Sequence, residues 1–83
     1  MKVGRQLFTE DAQPACGICH ALEDAGTSGT IGPNLDELKP DRDKVAAAVR
    51  KGVGVMPAYA EQLSAQEVEA LAVYVSRAVR DGN

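Results

Sequence analysis

Cysteine and histidine occur at one place only in this chain, the pentapeptide Cys16-Gly17-Ile18-Cys19-His20. Two thiols three residues apart lie on one helical turn, and an imidazole follows directly. C-x-x-C-H is the spacing at which each thiol can add to a vinyl group of a porphyrin, with the imidazole over the iron as its proximal ligand. Other uses of the same residues fit poorly. A structural zinc site takes four ligands, and this chain supplies three candidates in one cluster. A thioredoxin-type dithiol follows a strand in a βαβ unit, and no convincing strand is visible. A disulfide across two intervening residues closes too small a loop to staple a fold. The pentapeptide therefore predicts covalent haem c at Cys16 and Cys19, with iron held by His20.

Composition bears on the same point. A chain of 83 residues makes one domain, 1–83, near the size at which an apolar core becomes marginal. Its hydrophobic fraction of 45% is inflated by alanine, because it holds one Phe, two Tyr and no Trp. A flat, mostly apolar haem would supply the missing core volume. The net charge of −3 excludes the basic surface that non-specific nucleic-acid binding requires, and ionised propionates would make the balance more negative. No run of 18 apolar residues is present, so no membrane span is expected.

Periodicity predicts helices joined by Gly/Pro loops. Val3, Leu7 and Phe8 suggest a short amphipathic helix over 2–9, followed by a linker over 11–15 with Pro14 as its breaker. A turn or two of helix over 16–22 carries the pentapeptide, and 26–34 reads as a long glycine-rich loop of the kind that is often functional. Pro40-Asp41 opens a third helix with Val45, Ala48 and Val49 on one face and Gly52 as its stop. The last helix has the fullest signature. Ser64-Ala65-Gln66-Glu67 is a capping box, Val68, Leu71, Ala72, Val75 and Val79 recur at helical spacing, and Arg77, Arg80 and Gly82 close the end.

His20 is the sole histidine, so two histidine ligands cannot come from one chain. Met56 is the only internal methionine and sits in Gly52-Val53-Gly54-Val55-Met56-Pro57, a glycine-containing loop stiffened by proline. A lone methionine is by default a packing residue. Its soft thioether nevertheless favours ferrous iron and raises the potential of the couple, which makes Met56 the candidate sixth ligand.

These pieces together resemble a class I monohaem cytochrome c of the short bacterial type, over nearly the whole chain. The resemblance rests on Gly4 and Phe8, Cys16 to His20, Gly32-Pro33-Asn34-Leu35, Met56-Pro57, and Leu71 with Tyr74. It implies an all-α fold of about four helices with loops wrapped around one covalently bound haem. The first and last helices would cross at Gly4 beside a Phe8–Tyr74 aromatic contact. The Pro33 carbonyl would accept a hydrogen bond from the proximal imidazole, as outer-shell partners of metal-bound histidines do, and Leu35 would pack on the haem. One departure is the lack of any Trp to hold a propionate. Tyr59, Arg42, Lys44 and Arg50 are candidates for that part, among which the sequence does not choose.

The function so implied is a soluble one-electron carrier, not an enzyme, cycling ferric and ferrous haem with His20/Met56 ligation. Its partners would be redox proteins: a periplasmic dehydrogenase as donor, with sulfite or other sulfur-compound oxidation among the pathways, and an oxidase or another cytochrome as acceptor. A monomer is expected. Covalent attachment in this family happens outside the cytoplasm, and Met1-Lys2-Val3-Gly4-Arg5 does not begin a signal peptide. A periplasmic location with the leader absent from this chain follows. Both ends lie within about a turn of a terminal helix, which suggests a free-standing protein. The alternative is an open-site haem domain that binds a gas or serves a redox enzyme. It requires Met56 to be mere packing, and no distal acid or base is evident to serve it.

Overall fold

The computed structural model describes residues 2–81. Among the described residues are four α-helices: α1 (Lys2–Gln6), α2 (Leu35–Leu38), α3 (Arg42–Lys51) and α4 (Ala65–Asp81). Helix α1 runs on without a break into a π-helical turn, Leu7–Asp11, closed by the Ala12 N–H on the Leu7 carbonyl at 3.1 Å. The first helical stretch is thus longer than the 2–9 expected. Its buried residues are Gly4, Leu7 and Phe8, whereas Val3 faces solvent.

Helix α4 is the element against which α1, α2 and α3 all pack. Its capping box forms as read: the Ser64 N–H donates to Glu67 Oε1 at 2.8 Å, and the Glu67 N–H donates to Ser64 Oγ at 3.1 Å. Val68, Leu71, Ala72, Val75 and Val79 are all buried, joined by Tyr74 and Ala78. Gly82, expected to close this helix, lies outside the described residues. In α3, Asp41 caps the Lys44 N–H at 2.8 Å, and Arg50 and Lys51 stand in the last turn, where the helix dipole favours cations. Gly52 ends the helix with φ of 77°, a conformation that costs glycine little.

Two expectations are corrected. A short helix, α2, stands directly after the glycine-rich loop. Asn34 caps it, accepting from the Asp36 N–H at 2.9 Å and the Glu37 N–H at 3.3 Å, and Lys39 ends it in the left-handed region. Nor is the chain free of strands. Ala21–Leu22 (β1) pairs antiparallel with Thr27–Ser28 (β2), Ala21 opposite Ser28 and Leu22 opposite Thr27. The expected helix over 16–22 therefore shrinks to one 3₁₀ turn, Cys16–Ile18. Backbone groups in the loop satisfy each other across the chain rather than along it.

Helices α1 and α4 cross at Gly4. A Cβ placed there would strike the Tyr74 Cβ and lie 2.5 Å from the Ala70 carbonyl oxygen. Beside the crossing, Phe8 and Tyr74 meet edge-to-face with centroids 6.3 Å apart. The Tyr74 hydroxyl donates to Asp24 Oδ2 at 2.6 Å, which ties α4 to the short segment after the pentapeptide.

Two measurements test this crossing. Gly4→Ala would gain about 1 kcal/mol of helix propensity, but neither the Ala70 carbonyl nor the root of Tyr74 can move without parting the helices. The expected outcome is a net loss of about 1–3 kcal/mol in denaturant unfolding. Tyr74→Phe keeps the ring contact and loses the hydroxyl, at a cost of about 1 kcal/mol near neutral pH. Burial, and then Asp24, raise the Tyr74 pKa above its ordinary value of 10.0. The folded state therefore holds a proton that the unfolded state releases above about pH 10. The stability this hydroxyl contributes is present in full below that pH and is lost as pH rises past it. The wild-type margin over Tyr74→Phe should accordingly shrink above pH 10.

Candidate functional site

The Cys16–Ile18 turn follows an extended residue, Ala15, and closes with the His20 N–H on the Cys16 carbonyl at 3.0 Å. The glycine-rich loop lies flat against it. The Gly32 N–H donates to the Cys19 carbonyl at 2.8 Å, and the Pro33 carbonyl oxygen stands 2.8 Å from His20 Nδ1. A carbonyl can only accept, so Nδ1 carries the proton, which leaves Nε2 as the ring nitrogen open to a metal. Thr27 fastens the other side: its hydroxyl donates to the His20 carbonyl at 2.9 Å and accepts from the Leu22 N–H at 3.1 Å.

Close approach explains the glycines here. A Cβ on Gly32 would come within 2.6 Å of the His20 ring, and one on Gly29 within 2.5 Å of the Ile18 carbonyl oxygen. One on Gly17 would collide with the Thr27 side chain. The loop read as long and glycine-rich is thus a form-fitting cover on the pentapeptide.

Cys16 is buried and Cys19 half-buried. Burial, with Cys19 nearby, pushes the Cys16 thiol up to about 11, so it stays neutral near pH 7 and is a poor nucleophile for dithiol exchange. Among the described residues no group of three or more His, Cys, Asp or Glu side chains is placed to hold a metal ion.

Beyond the pentapeptide opens a cleft of about 480 Å³, within the range of small-molecule sites. Cys16, Cys19 and His20 line it together with Pro33, Leu35 and Met56, so the structure brings all six expected site residues to one cavity. The remaining wall comes from α3 (Val45, Ala48, Val49), from α4 (Leu71, Val75), from Phe8, and from Ile31, Leu38 and Pro40. Val45, Ala48 and Val49 were legible as one face of a helix, but nothing in their spacing said what that face meets. Of the four candidates for a propionate partner, Lys44 and Tyr59 line the cleft, whereas Arg42 and Arg50 do not. Arg42 instead pairs with Asp43 and Glu69.

Met56 is half-buried and packs on the core. It closes a narrow loop with Val53, donating its N–H to the Val53 carbonyl at 2.8 Å and accepting from the Val53 N–H at 3.1 Å. Gly54, with φ of 56°, makes the turn between them. A Cβ on Gly52 would lie 2.7 Å from the Met56 carbonyl oxygen, so a glycine is needed where the loop leaves α3. Tyr59 stands at the far end, its hydroxyl donating to the Pro14 carbonyl at 2.6 Å, and burial raises its pKa to about 12.

The donor set and the lining fit a covalently held haem. Two thiols and an oriented imidazole stand on one part of the wall, a thioether on another, and the rest is apolar apart from Lys44 and the Tyr59 hydroxyl. Comparison with known proteins agrees. Residues 1–75 match the family model described as cytochrome c oxidase, cbb3-type, subunit III. Cytochrome c6 of Bryopsis maxima is 26% identical over 92 residues, covering 99% of this chain and 96% of that protein. The crystal structure of the c-type cytochrome SorU from Sinorhizobium meliloti superposes with a TM-score of 0.90 at 50% identity, over 94% of this chain and 88% of that one. The chain therefore belongs to the cytochrome c oxidase, cbb3-type, subunit III family and has the all-α fold of a class I c-type cytochrome.

Proposed function

We propose that this protein is a one-electron carrier that holds haem c covalently at Cys16 and Cys19, with His20 and Met56 as axial ligands to the iron. The observation that carries the reading is the placement of Met56 in the same apolar cleft as a His20 ring whose Nδ1 is committed to the Pro33 carbonyl. A haem bound here would supply the ferric/ferrous couple. The chain's own residues do the rest. The Pro33 carbonyl fixes the imidazole tautomer and increases its donor strength. Gly32 lets the loop lie close enough for that bond to form. The apolar walls from α3 and α4 keep water away, which favours the form of lower charge.

Besides Cys16, Cys19 and His20, the titratable side chains that line the cleft are Lys44 and Tyr59, and the Tyr59 hydroxyl is taken up by the Pro14 carbonyl. No described helix is long and apolar enough to cross a membrane. We place the carrier in the periplasm as a monohaem domain spanning 1–83, because haem c is attached outside the cytoplasm in this family. Its donor is a periplasmic dehydrogenase and its acceptor an oxidase or another cytochrome. A sulfite or other sulfur-compound dehydrogenase is the donor to test first, on the Cys-Gly-Ile-Cys-His and Thr-Ile-Gly-Pro-Asn-Leu wording.

Apart from Lys44, the exposed rim of the cleft is apolar. Pro14, Val53, Val55 and Pro57 line the cavity and face solvent, and Ile18 and Ala58 are exposed close by in sequence. Val55 is 87% exposed. A partner can approach such a rim without desolvating charge, in the small, brief encounters typical of electron transfer, below about 1,200 Å² in total.

Ligation is tested by Met56→Ala. The holoprotein variant should lose the weak far-red methionine-to-iron band of the ferric form, bind carbon monoxide readily when ferrous, and show a lower potential. The shift should be a substantial part of the ~0.8 V range that axial ligands command. Rapid, stoichiometric carbon monoxide binding by the wild type would instead favour an open-site haem domain. The docking face is tested by Ala15→Glu and Ala58→Glu. Each should slow electron exchange with the native partner by about tenfold, from like-charge or desolvation penalties of ~1–2 kcal/mol at the contact, and leave the visible spectrum unchanged. Wild-type rates in both would move the transfer face elsewhere.

A further inference from the structure

The Met56 loop is anchored at both ends on the last turn of α3. The Gly52 N–H donates to the Ala48 carbonyl at 2.8 Å, and the Tyr59 N–H donates to the Val49 carbonyl at 2.7 Å. Between these anchors only the Val53–Met56 pair braces the loop among the bonds described, and its residues other than Met56 are exposed. The second anchor is itself fastened across the cleft to the segment that precedes Cys16. Gln62 Oε1 accepts from the Gln13 N–H at 2.8 Å, and Gln62 Nε2 donates to the Gln13 carbonyl at 2.7 Å. One side-chain amide thus pairs with a single residue's backbone as a neighbouring strand would. The Tyr59 hydroxyl adds its bond to the Pro14 carbonyl, and the Gln62 and Leu63 N–H groups fold back on the Tyr59 carbonyl at 3.1 and 2.9 Å. Gln13 and Gln62 are both solvent-exposed, so the clasp contributes little burial and its effect is local.

We infer that Gln62 is a positioning residue for the methionine side of the site, and that its clasp to Gln13 limits how often Met56 swings away to let an outside ligand reach the iron. The geometry gives the reason. The two segments bearing Cys16 and Met56 are 40 residues apart in sequence, and the Gln13–Gln62 and Pro14–Tyr59 bonds tie them side by side at the cleft. With the first anchor on α3 kept, the loop can leave the cleft by turning about Gly52 and Gly54 at one end and lifting the Tyr59–Gln62 turn off its anchor on Val49 at the other. Lifting that turn breaks the clasp. This inference rests on the haem reading and on Met56 as a ligand.

The test is the rate at which free imidazole replaces the sixth ligand of the ferric holoprotein, followed by stopped-flow absorbance. Gln62→Met keeps the bulk of the side chain and removes both hydrogen bonds, and Gln62→Ala removes the bulk as well. Each should bind imidazole about five- to tenfold faster than wild type, the factor expected from losing one to two hydrogen bonds to the closed state, with the far-red methionine band still present at equilibrium. Gly4→Ala is the control, because it weakens the helix crossing without touching the clasp. If it accelerates imidazole binding as much as Gln62→Met does, entry occurs through general loosening and the inference fails. Unchanged rates in both Gln62 variants also overturn it. In a Met56→Ala background imidazole should bind fast with or without Gln62→Met, and a further acceleration there would show that the clasp acts on something other than the methionine. A wild-type spectrum without the methionine band would remove the ligation reading itself, a result separable from any rate.

Discussion

The crossing of α1 over α4 at Gly4 is the contact on which the other parts depend. It brings the beginning of the chain onto its longest helix with no side chain between, and it places Phe8 and Tyr74 in edge-to-face contact on one side of the joint. From that joint the chain leaves α1 in a π-helical turn that buries Leu7 and Phe8 together, then reaches the pentapeptide within a few residues. Tyr74 repeats the connection from the other direction through Asp24. Helix α3 packs on α4 as well, so both halves of the cleft are referred to one helix. Close packing of small and large residues at a single joint can set this geometry, because helices in contact have few ways to adjust without opening a void.

Much of this was legible in the sequence where a single residue type has a single local meaning. Ser64 and Glu67 state a helix start, Asp41 and Gly52 bracket another, and the five-residue apolar stripe of α4 names its buried face. Cys16, Cys19 and His20 state a chemistry by spacing alone. What stayed hidden depends on partners distant in the chain. Thr27 looks like a loop residue until its hydroxyl is seen between the His20 carbonyl and the Leu22 amide. Gln13 and Gln62 carry no signal of their own, since glutamine is ordinarily exposed on a protein surface. Helix α2 could have been anticipated, because Asn34 followed by Asp36 and Glu37 is a capping signature. It was obscured by the glycines in front of it. The two-residue strands were beyond reach, being too short for any periodicity to register.

The cleft itself was legible as a set of residues and not as a shape. Nothing in the sequence distinguishes Lys44 from Arg42 or Arg50, yet only Lys44 reaches the cavity, because Arg42 is turned aside by Glu69 on α4. Pro33 is a stronger case. Its carbonyl position could be expected only from family resemblance, and the 2.8 Å approach to His20 Nδ1 now gives that expectation a physical form.

The two sides of the cleft are built to different tolerances. Around His20 the contacts are made by main chain, by the imidazole ring and by the Thr27 side chain, and Gly17, Gly29 and Gly32 leave no volume for even a methyl group. Around Met56 the loop turns on Gly54, beside which an added Cβ would meet nothing within 4 Å, and the side chains next to Met56 face water. When an electron arrives or leaves, bond lengths at an iron centre change slightly and something must give. With haem bound and Met56 ligating as proposed, one wall would behave as a jig and the other as a spring, so the adjustment would fall on the methionine side while the imidazole held its orientation. Small displacement confined to one compliant loop would keep the structural cost of each redox change low, an economy of motion that suits rapid exchange of single electrons.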